Sequence, residues 1–128
     1  MPTIITEGAA SAKAFGFGSS SGPKIYIEDV FSTYLYTGTS ASQTITNGLD
    51  LSGKGGMVLL QCRSNNTGSA WNVYRSASNY LVSNSQNGIA TAGAGAGLTS
   101  FNSNGFTLGT NWNTENFTGY TYASWSFR

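Results

Sequence analysis

Residues 48–55 read Gly-Leu-Asp-Leu-Ser-Gly-Lys-Gly, one residue away from the phosphate-cradling pattern Gly-x-x-x-x-Gly-Lys-Ser/Thr. In that pattern the hydroxyl holds Mg²⁺ and the loop opens a helix whose N-terminus meets the phosphates. Gly55 supplies no hydroxyl and a strand-like run follows, so the segment reads as a glycine-rich turn between strands. A second glycine-rich stretch, Gly93-Ala94-Gly95-Ala96-Gly97, lacks the surrounding βαβ unit that a dinucleotide site needs. Acid–base chemistry is short of parts. The chain has no His, which removes the commonest general base, the usual triads and most zinc sites. Its five acids, Glu7, Glu28, Asp29, Asp50 and Glu115, are scattered, and the one adjacent pair, Glu28-Asp29, would point to opposite faces of a strand. Asp29 or Asp50, helped by Asn and backbone oxygens, is the one starting point for a Ca²⁺ site; the plainer reading is of solvated loop acids. No catalytic residue, resident metal or cofactor is expected, and the chain reads as non-enzymatic.

Binding chemistry has more to work with. Trp and Tyr flanked by Asn and Thr are the side chains on which sugar rings stack and to which they hydrogen-bond. Trp71, Tyr74, Trp112 and Tyr120 are the candidates for a glycan contact; the plainer reading is that most such aromatics fill a core or a subunit contact. Two acceptor triplets for N-glycosylation, at Asn65 and Asn116, fall where surface turns are expected, in a chain where such triplets also arise by composition alone. The lone cysteine, Cys62, permits no intramolecular disulfide and sits in the apolar run 57–62, where it reads as a small buried hydrophobe.

These residues must be held by some scaffold, and the composition bounds it. A chain of 128 residues suits a single core. Charged residues make up 9% of it, so polarity rests on hydroxyls and amides, which tolerate close packing against copies of the same chain. Aromatic residues, at 13%, supply enough apolar area to exclude a disordered chain. A net charge of +1 without clustered Lys or Arg points away from nucleic acid. No apolar stretch approaches a membrane span, so no membrane insertion is expected. The first residues lack the basic and long apolar regions of a secretory signal; a product acting outside a cell would leave by lysis, by a leaderless route or after loss of a leader.

Residues 1–23 differ from the rest, being dominated by Gly, Ala and Ser with Ile4, Ile5, Phe15 and Phe17 among them. Ala10, Ala12 and Ala14 alternate with Ser11, Lys13 and Phe15, a period of two that suits an extended strand with one small, flat face. This segment reads as an extended N-terminal arm. Its contact residues with another subunit would be Ile4, Ile5, Ala10, Ala12, Ala14, Phe15 and Phe17.

From residue 24 to 128 short β-branched or aromatic runs recur, each closed by Gly, Asn or Ser. Nine strands are predicted, over 25–27, 31–36, 43–46, 57–63, 70–74, 79–82, 98–102, 105–109 and 119–127, which makes an all-β antiparallel sandwich or barrel. Residues 57–60 read as a central strand covered on both faces. In the last strand Trp125 and Phe127 are assigned to the core, with Tyr120, Tyr122, Ser124 and Ser126 on the opposite face. Asn47-Gly48 and Asn104-Gly105 are turn dipeptides, the second making 99–108 a hairpin with Phe101 and Phe106 in the core. The Gly-Ala tract 90–97 reads as a loop or a flat strand.

The run 44–58, Thr-Ile-Thr-Asn-Gly-Leu-Asp-Leu-Ser-Gly-Lys-Gly-Gly-Met-Val, is followed by 100–109, Ser-Phe-Asn-Ser-Asn-Gly-Phe-Thr-Leu-Gly, and by the ending 120–127. In order and spacing these blocks resemble a β-sandwich module of phage tail-fibre-like and other virion structural proteins, of the kind found in aquatic phages including those of cyanobacteria. The resemblance covers roughly residues 30–128 and departs in the middle block, where members of that family often carry a His and an Asp-Thr-Arg-Gly-like stretch and this chain has Trp71 to Tyr80 with Arg75. It implies a jelly-roll or concanavalin-like sandwich in a virion or extracellular fibre, with no catalytic residues to carry over. Together with the arm it leads to the expectation of a structural subunit that assembles head-to-tail into a homo-oligomer or polymer. The rival is a lectin-like module that attaches to cell-surface glycan.

Overall fold

A computed structural model describes residues 25–53, 55–64, 71–110 and 115–128; the arm assigned to 1–23 lies outside them. A 3-10 turn, Ile27–Asp29, precedes nine strands: β1 Phe31–Thr37, β2 Gln43–Thr46, β3 Met57–Cys62, β4 Trp71–Ser76, β5 Asn79–Val82, β6 Ala90–Thr91, β7 Leu98–Asn102, β8 Gly105–Leu108 and β9 Thr121–Phe127. All pairings are antiparallel, and they make two sheets. One has six strands in the order β1-β9-β3-β4-β5-β6, the other three in the order β2-β8-β7. The chain is thus all-β and sandwich-like.

The small sheet follows the ordinary rule for a half-buried sheet. Ile45 faces Phe106 across β2–β8, and both, with Leu98 and Leu108, are buried. On the other face Thr44 and Thr107 share a 3.1 Å hydroxyl hydrogen bond at the surface. The β7–β8 hairpin turns at Ser103-Asn104, and Gly105 opens β8 at φ +134°. A Cβ there would collide with the Ile45 carbonyl oxygen, so the backbone approach of β2 needs glycine. Phe101 lies opposite Phe106 but is only half-buried against the core.

The large sheet does not follow that rule. Its inner face contributes Tyr36, Val58, Leu60, Cys62, Tyr74 and Tyr122 to the core, and Leu49 and Leu51 from the β2–β3 connection join them. Yet the same face carries Asn72, Ser124 and Ser126, all buried. Ser126 Oγ accepts from Asn47 Nδ2 at 2.8 Å, Ser124 Oγ donates to the Tyr34 carbonyl at 3.4 Å, and Ser32 Oγ donates to the Asn47 carbonyl at 2.9 Å, so the serine hydroxyls are satisfied within the protein. The outer face carries the larger apolar side chains: Phe31 and Leu35 on β1, Trp125 and Phe127 on β9, Met57 and Leu59 on β3, Trp71 and Val73 on β4.

Several expectations need correction. Trp125 is half-buried and Phe127 is 39% exposed, both on the outer face, while Tyr122, Ser124 and Ser126 point inward. The alternation in β9 is real, but both faces are apolar enough that hydrophobicity alone picks the wrong one. Residues 25–27 form no strand; they lead into the 3-10 turn, which Asp29 closes by accepting from the Tyr26 N–H at 2.9 Å. Glu28 and Asp29 therefore lie on a turn and not on a strand. In β3 only Val58, Leu60 and Cys62 are buried, and the outer Met57 and Leu59 are half-covered. Only Ala90–Thr91 of the Gly-Ala tract pairs as a strand.

Candidate functional site

Glu115, immediately before Asn116 and outside any strand, is completely buried. The Tyr74 hydroxyl donates to its Oε1 at 2.6 Å, and Asn72 Nδ2 donates to the same oxygen. The Tyr36 hydroxyl donates to the Glu115 carbonyl oxygen at 2.7 Å. This clamps the β8–β9 connection onto β1 and β4. Burial, and then the Glu115 charge, push the Tyr36 and Tyr74 phenols well above the ordinary tyrosine range. Tyr122 is pushed up to about 12, again chiefly by burial, with the Phe117 N–H that it accepts pulling the other way. Phenols held protonated in this way are hydrogen-bond donors and not bases. The centre orders the interior; its chemistry is structural.

Asn116 anchors the same connection from the other side. Its Nδ2 donates to the carbonyls of Ala41 at 2.7 Å and Gly109 at 2.8 Å, and its Oδ1 accepts from Thr39 N at 3.0 Å and Gln43 Nε2 at 2.9 Å. Both amide hydrogens of Asn116 are used within the fold and its side chain is buried, so the structure does not place this triplet's Asn in an exposed turn. Asn65 lies outside the described residues. Neither this polar centre nor the Asn116 clamp was read from the sequence; the signal for the first was Asn72 and Tyr74 sharing strand parity in β4.

The four glycan candidates do not form one platform. Tyr74 is fully buried with its hydroxyl committed to Glu115, which removes it from any surface role. Tyr120 packs inward against the core, its ring 4.9 Å from that of Phe117. Trp71 is half-buried on the outer face, stacked at 5.9 Å on Trp125 across β3. Trp112 lies outside the described residues. Asp50 does not gather further acids. Its Oδ1 accepts from Gly53 N at 3.0 Å, Ser52 N at 3.2 Å and Ser52 Oγ at 3.0 Å. Those bonds, with the Gly53 N–H foremost, hold its carboxyl below the usual range, and among the described residues no three His, Cys, Asp or Glu cluster as metal ligands.

The feature that remains is the outer face of the six-stranded sheet. Register places Phe31 beside Phe127, Leu59 between Trp125 and Val73, and Val73 beside Leu81, so apolar side chains run unbroken from β1 to β5. Several are strongly exposed: Leu35 by 64%, Leu81 by 41% and Ile89, just before β6, by 78%. Near one end the surface dips into a groove of about 180 Å³ lined by Val73, Arg75, Ser76, Asn79, Tyr80, Leu81 and Ile89. Exposed apolar surface of this kind makes the outer face the candidate for contact with a partner.

The family model for a domain of unknown function, DUF7483, matches residues 26–128. The chain belongs to the DUF7483 family. The DUF7483 match opens within the 3-10 turn's approach and takes in both sheets, leaving the segment before residue 26 outside it. No curated protein and no solved structure matches the chain. Among the described residues no helix is long and apolar enough to cross a membrane.

Proposed function

We propose that this chain is a non-enzymatic structural subunit that self-assembles, head-to-tail through its N-terminal arm, into a virion component or an extracellular fibril. On this reading the two sheets are the body of a jelly-roll or concanavalin-like sandwich, and residues 1–23 are the extended segment that joins one copy to another.

The observation that carries the proposal is the inverted character of the large sheet. A sheet that buries serines and an asparagine while presenting Phe31, Leu35, Trp125, Phe127, Leu59, Trp71, Val73 and Leu81 outward is suited to cover on both faces. Among the described residues that outer face is only partly covered: Leu59, Trp71, Val73 and Trp125 are half-buried, and Leu35, Leu81 and Phe127 are exposed. The chain enters the domain beside β1, an edge strand, through Ile25, Tyr26 and Ile27, themselves exposed. Edge strands accept further strands, and donor and acceptor surfaces that differ generate rings or open filaments.

Deleting residues 1–22 should leave a folded monomer, while the intact chain forms higher oligomers or filaments, as read by light scattering and negative-stain microscopy. A truncated protein that still polymerises, or an intact one that stays monomeric at high concentration, sinks the proposal. The half-exposed Trp71–Trp125 stack favours one rival, a lectin-like module on cell-surface glycan. That reading requires glycan binding by the truncated monomer, abolished by Trp71→Ala.

A further inference from the structure

Strand β1 is an edge of the six-stranded sheet, and its ladder with β9 shows which of its peptide groups face away from that sheet. Arg128 N donates to the Val30 carbonyl at 2.9 Å and Gly38 N to the Tyr120 carbonyl at 2.8 Å, at the two ends of a register that runs without a bulge. Antiparallel ladders alternate hydrogen-bonded and non-hydrogen-bonded pairs. Ser32, Tyr34 and Tyr36 therefore turn their peptide groups toward β9, while Phe31, Thr33, Leu35 and Thr37 turn theirs away. At Thr37 the carbonyl is engaged, accepting from Gln43 Nε2 at 3.3 Å. Among the described residues the peptide groups of Phe31, Thr33 and Leu35 meet no backbone partner. Edge strands are ordinarily guarded by a charge, a proline, a bulge or shortness. β1 has none of these guards: Phe-Ser-Thr-Tyr-Leu-Tyr-Thr is seven residues long, with Thr33, Tyr34 and Leu35 exposed, whereas the opposite edge, β6, has two residues.

From this edge we infer that β1 pairs antiparallel with β1 of a second copy, about a two-fold axis at Thr33, so that two large sheets join into one. The free residues are symmetric about that point. Turning one copy over sets Thr33 opposite Thr33 and Phe31 opposite Leu35 in both directions, and each outward N–H meets an outward C=O. In this register Leu35, 64% exposed, gains the other copy's Phe31 beside it on the outer face, where Phe31 already packs on Phe127 with ring centres 4.9 Å apart. With no charged residue in β1, no charge meets its own image across the axis. An axis at Tyr34 would instead set Thr37, whose carbonyl Gln43 engages, opposite Phe31, and would leave Leu35 against Thr33; the Thr33 axis is the better satisfied. The apolar outer faces of the two sheets then run on from one copy to the next. This contact goes beyond the arm-mediated assembly proposed above and relies on it only for proximity: the arm joins copies in series, and β1 joins them edge to edge. Pairing along one edge buries less than the roughly 1,200 Å² of a stable interface. The domain without its arm therefore stays monomeric in dilute solution, and β1 pairs where copies are held close together.

Cysteine trapping on the intact chain tests this, because the axis makes one variant its own partner. Thr33→Cys, at an exposed position, sets two thiols on residues about 5.5 Å apart, within the roughly 4.4–6.8 Å that a disulfide spans. Mild oxidation should give a covalent dimer that is absent from the wild-type chain, whose one cysteine, Cys62, is buried. Leu35→Cys alone should give at least about tenfold less, since the two copies of residue 35 lie about 13 Å apart along the strands. It should cross-link when mixed with Phe31→Cys. Thr33→Cys combined with Leu35→Lys, which guards the edge with a charge, should cross-link at least about tenfold more slowly while circular dichroism stays native. If Leu35→Cys dimerises alone as readily as Thr33→Cys, or Leu35→Lys leaves the rate unchanged, the products are collisions between exposed thiols and the inference is overturned. If no variant cross-links although the intact chain assembles and deletion of 1–22 abolishes that assembly, the β1 edges do not meet and the arm-mediated reading stands alone. If the cysteine pattern holds while deletion of 1–22 leaves assembly unchanged, the β1 pairing stands and the arm-mediated reading fails.

Discussion

Titrating the protein upward from neutral pH tests the polar interior directly, because Tyr36, Tyr74 and Tyr122 are buried and all three phenols are held above their ordinary value of about 10. Burial is the largest cause in each, and Glu115 adds to it in Tyr36 and Tyr74. A group whose folded-state pKa lies above its unfolded one contributes stability that is intact below the unfolded value and falls as pH rises toward the folded one. The window therefore opens near pH 10 and runs to about 12 for Tyr122 and higher for the other two. Within it each tyrosine lowers stability by about 1.4 kcal/mol per pH unit, so the three together give a slope of about 4 kcal/mol per pH unit. Against a domain stability of roughly 5–15 kcal/mol, the fold should fail cooperatively between about pH 11 and pH 13. Ultraviolet difference absorbance follows tyrosinate formation and circular dichroism follows the fold; for these three residues the two should move together. Denaturant unfolding at fixed pH supplies the slope. Tyr122→Phe, which removes one ionisation, should cut that slope by about a third. The reasoning is refuted if all seven tyrosines ionise near pH 10 while the β-signal stays native.

Other outcomes follow from particular contacts. Phe106→Ala empties a fully buried site in the central strand of the small sheet and should cost about 3–5 kcal/mol in denaturant unfolding, with a loss below about 1 kcal/mol placing Phe106 at the surface. Gly105→Ala puts a Cβ against the Ile45 carbonyl at a φ that L-residues rarely adopt, and should cost more than about 2 kcal/mol in the same assay. Asn116→Ala leaves two carbonyls and two donors without their partner and should cost at least about 3 kcal/mol, whereas Thr118→Ala, which keeps Asn116 but destroys the acceptor triplet, should stay within about 0.5 kcal/mol of wild type.

Where one face of a strand is plainly polar, local sequence carries the structure. Strands β2, β5 and β7 fall at the residues expected, and β8 differs by one at its end, because Gln43-Thr44-Ile45-Thr46 and Gly105-Phe106-Thr107-Leu108 alternate cleanly between threonine and large apolar side chains. The hairpin at 99–108 was legible for the same reason, though its turn sits one residue earlier than the Asn-Gly pair suggests. Strands of the large sheet were located about as well, yet their facing was not. In Tyr122-Ala-Ser-Trp-Ser-Phe127 both parities carry aromatics, and the preference for Trp125 and Phe127 over Tyr122 follows ordinary hydrophobicity. What reverses it is non-local. Asn47, seventy-nine residues away, satisfies Ser126, and Glu115, in a connection with no periodicity, satisfies Tyr36 and Tyr74.

The polar interior and the apolar exterior of the large sheet are one arrangement seen from two sides. Each strand has two faces, and β4 must put either Asn72 and Tyr74 or Trp71 and Val73 inward. Turning Trp71 and Val73 in would leave Glu115 without the Tyr74 hydroxyl and Asn72 amide that receive it, so a buried carboxylate would lose the donors that make its burial tolerable. Glu115 thereby selects the register of β4, and through the pairing of β4 with β3 and β3 with β9 it sets the facing of the neighbouring strands. The consequence is that Leu59, Val73, Trp71 and Trp125 are sent outward by a carboxylate on the far side of the sheet. A binding face made in this way depends on the interior: Glu115→Ala, by removing the acceptor, should loosen the surface that carries the groove even though no atom of Glu115 reaches it.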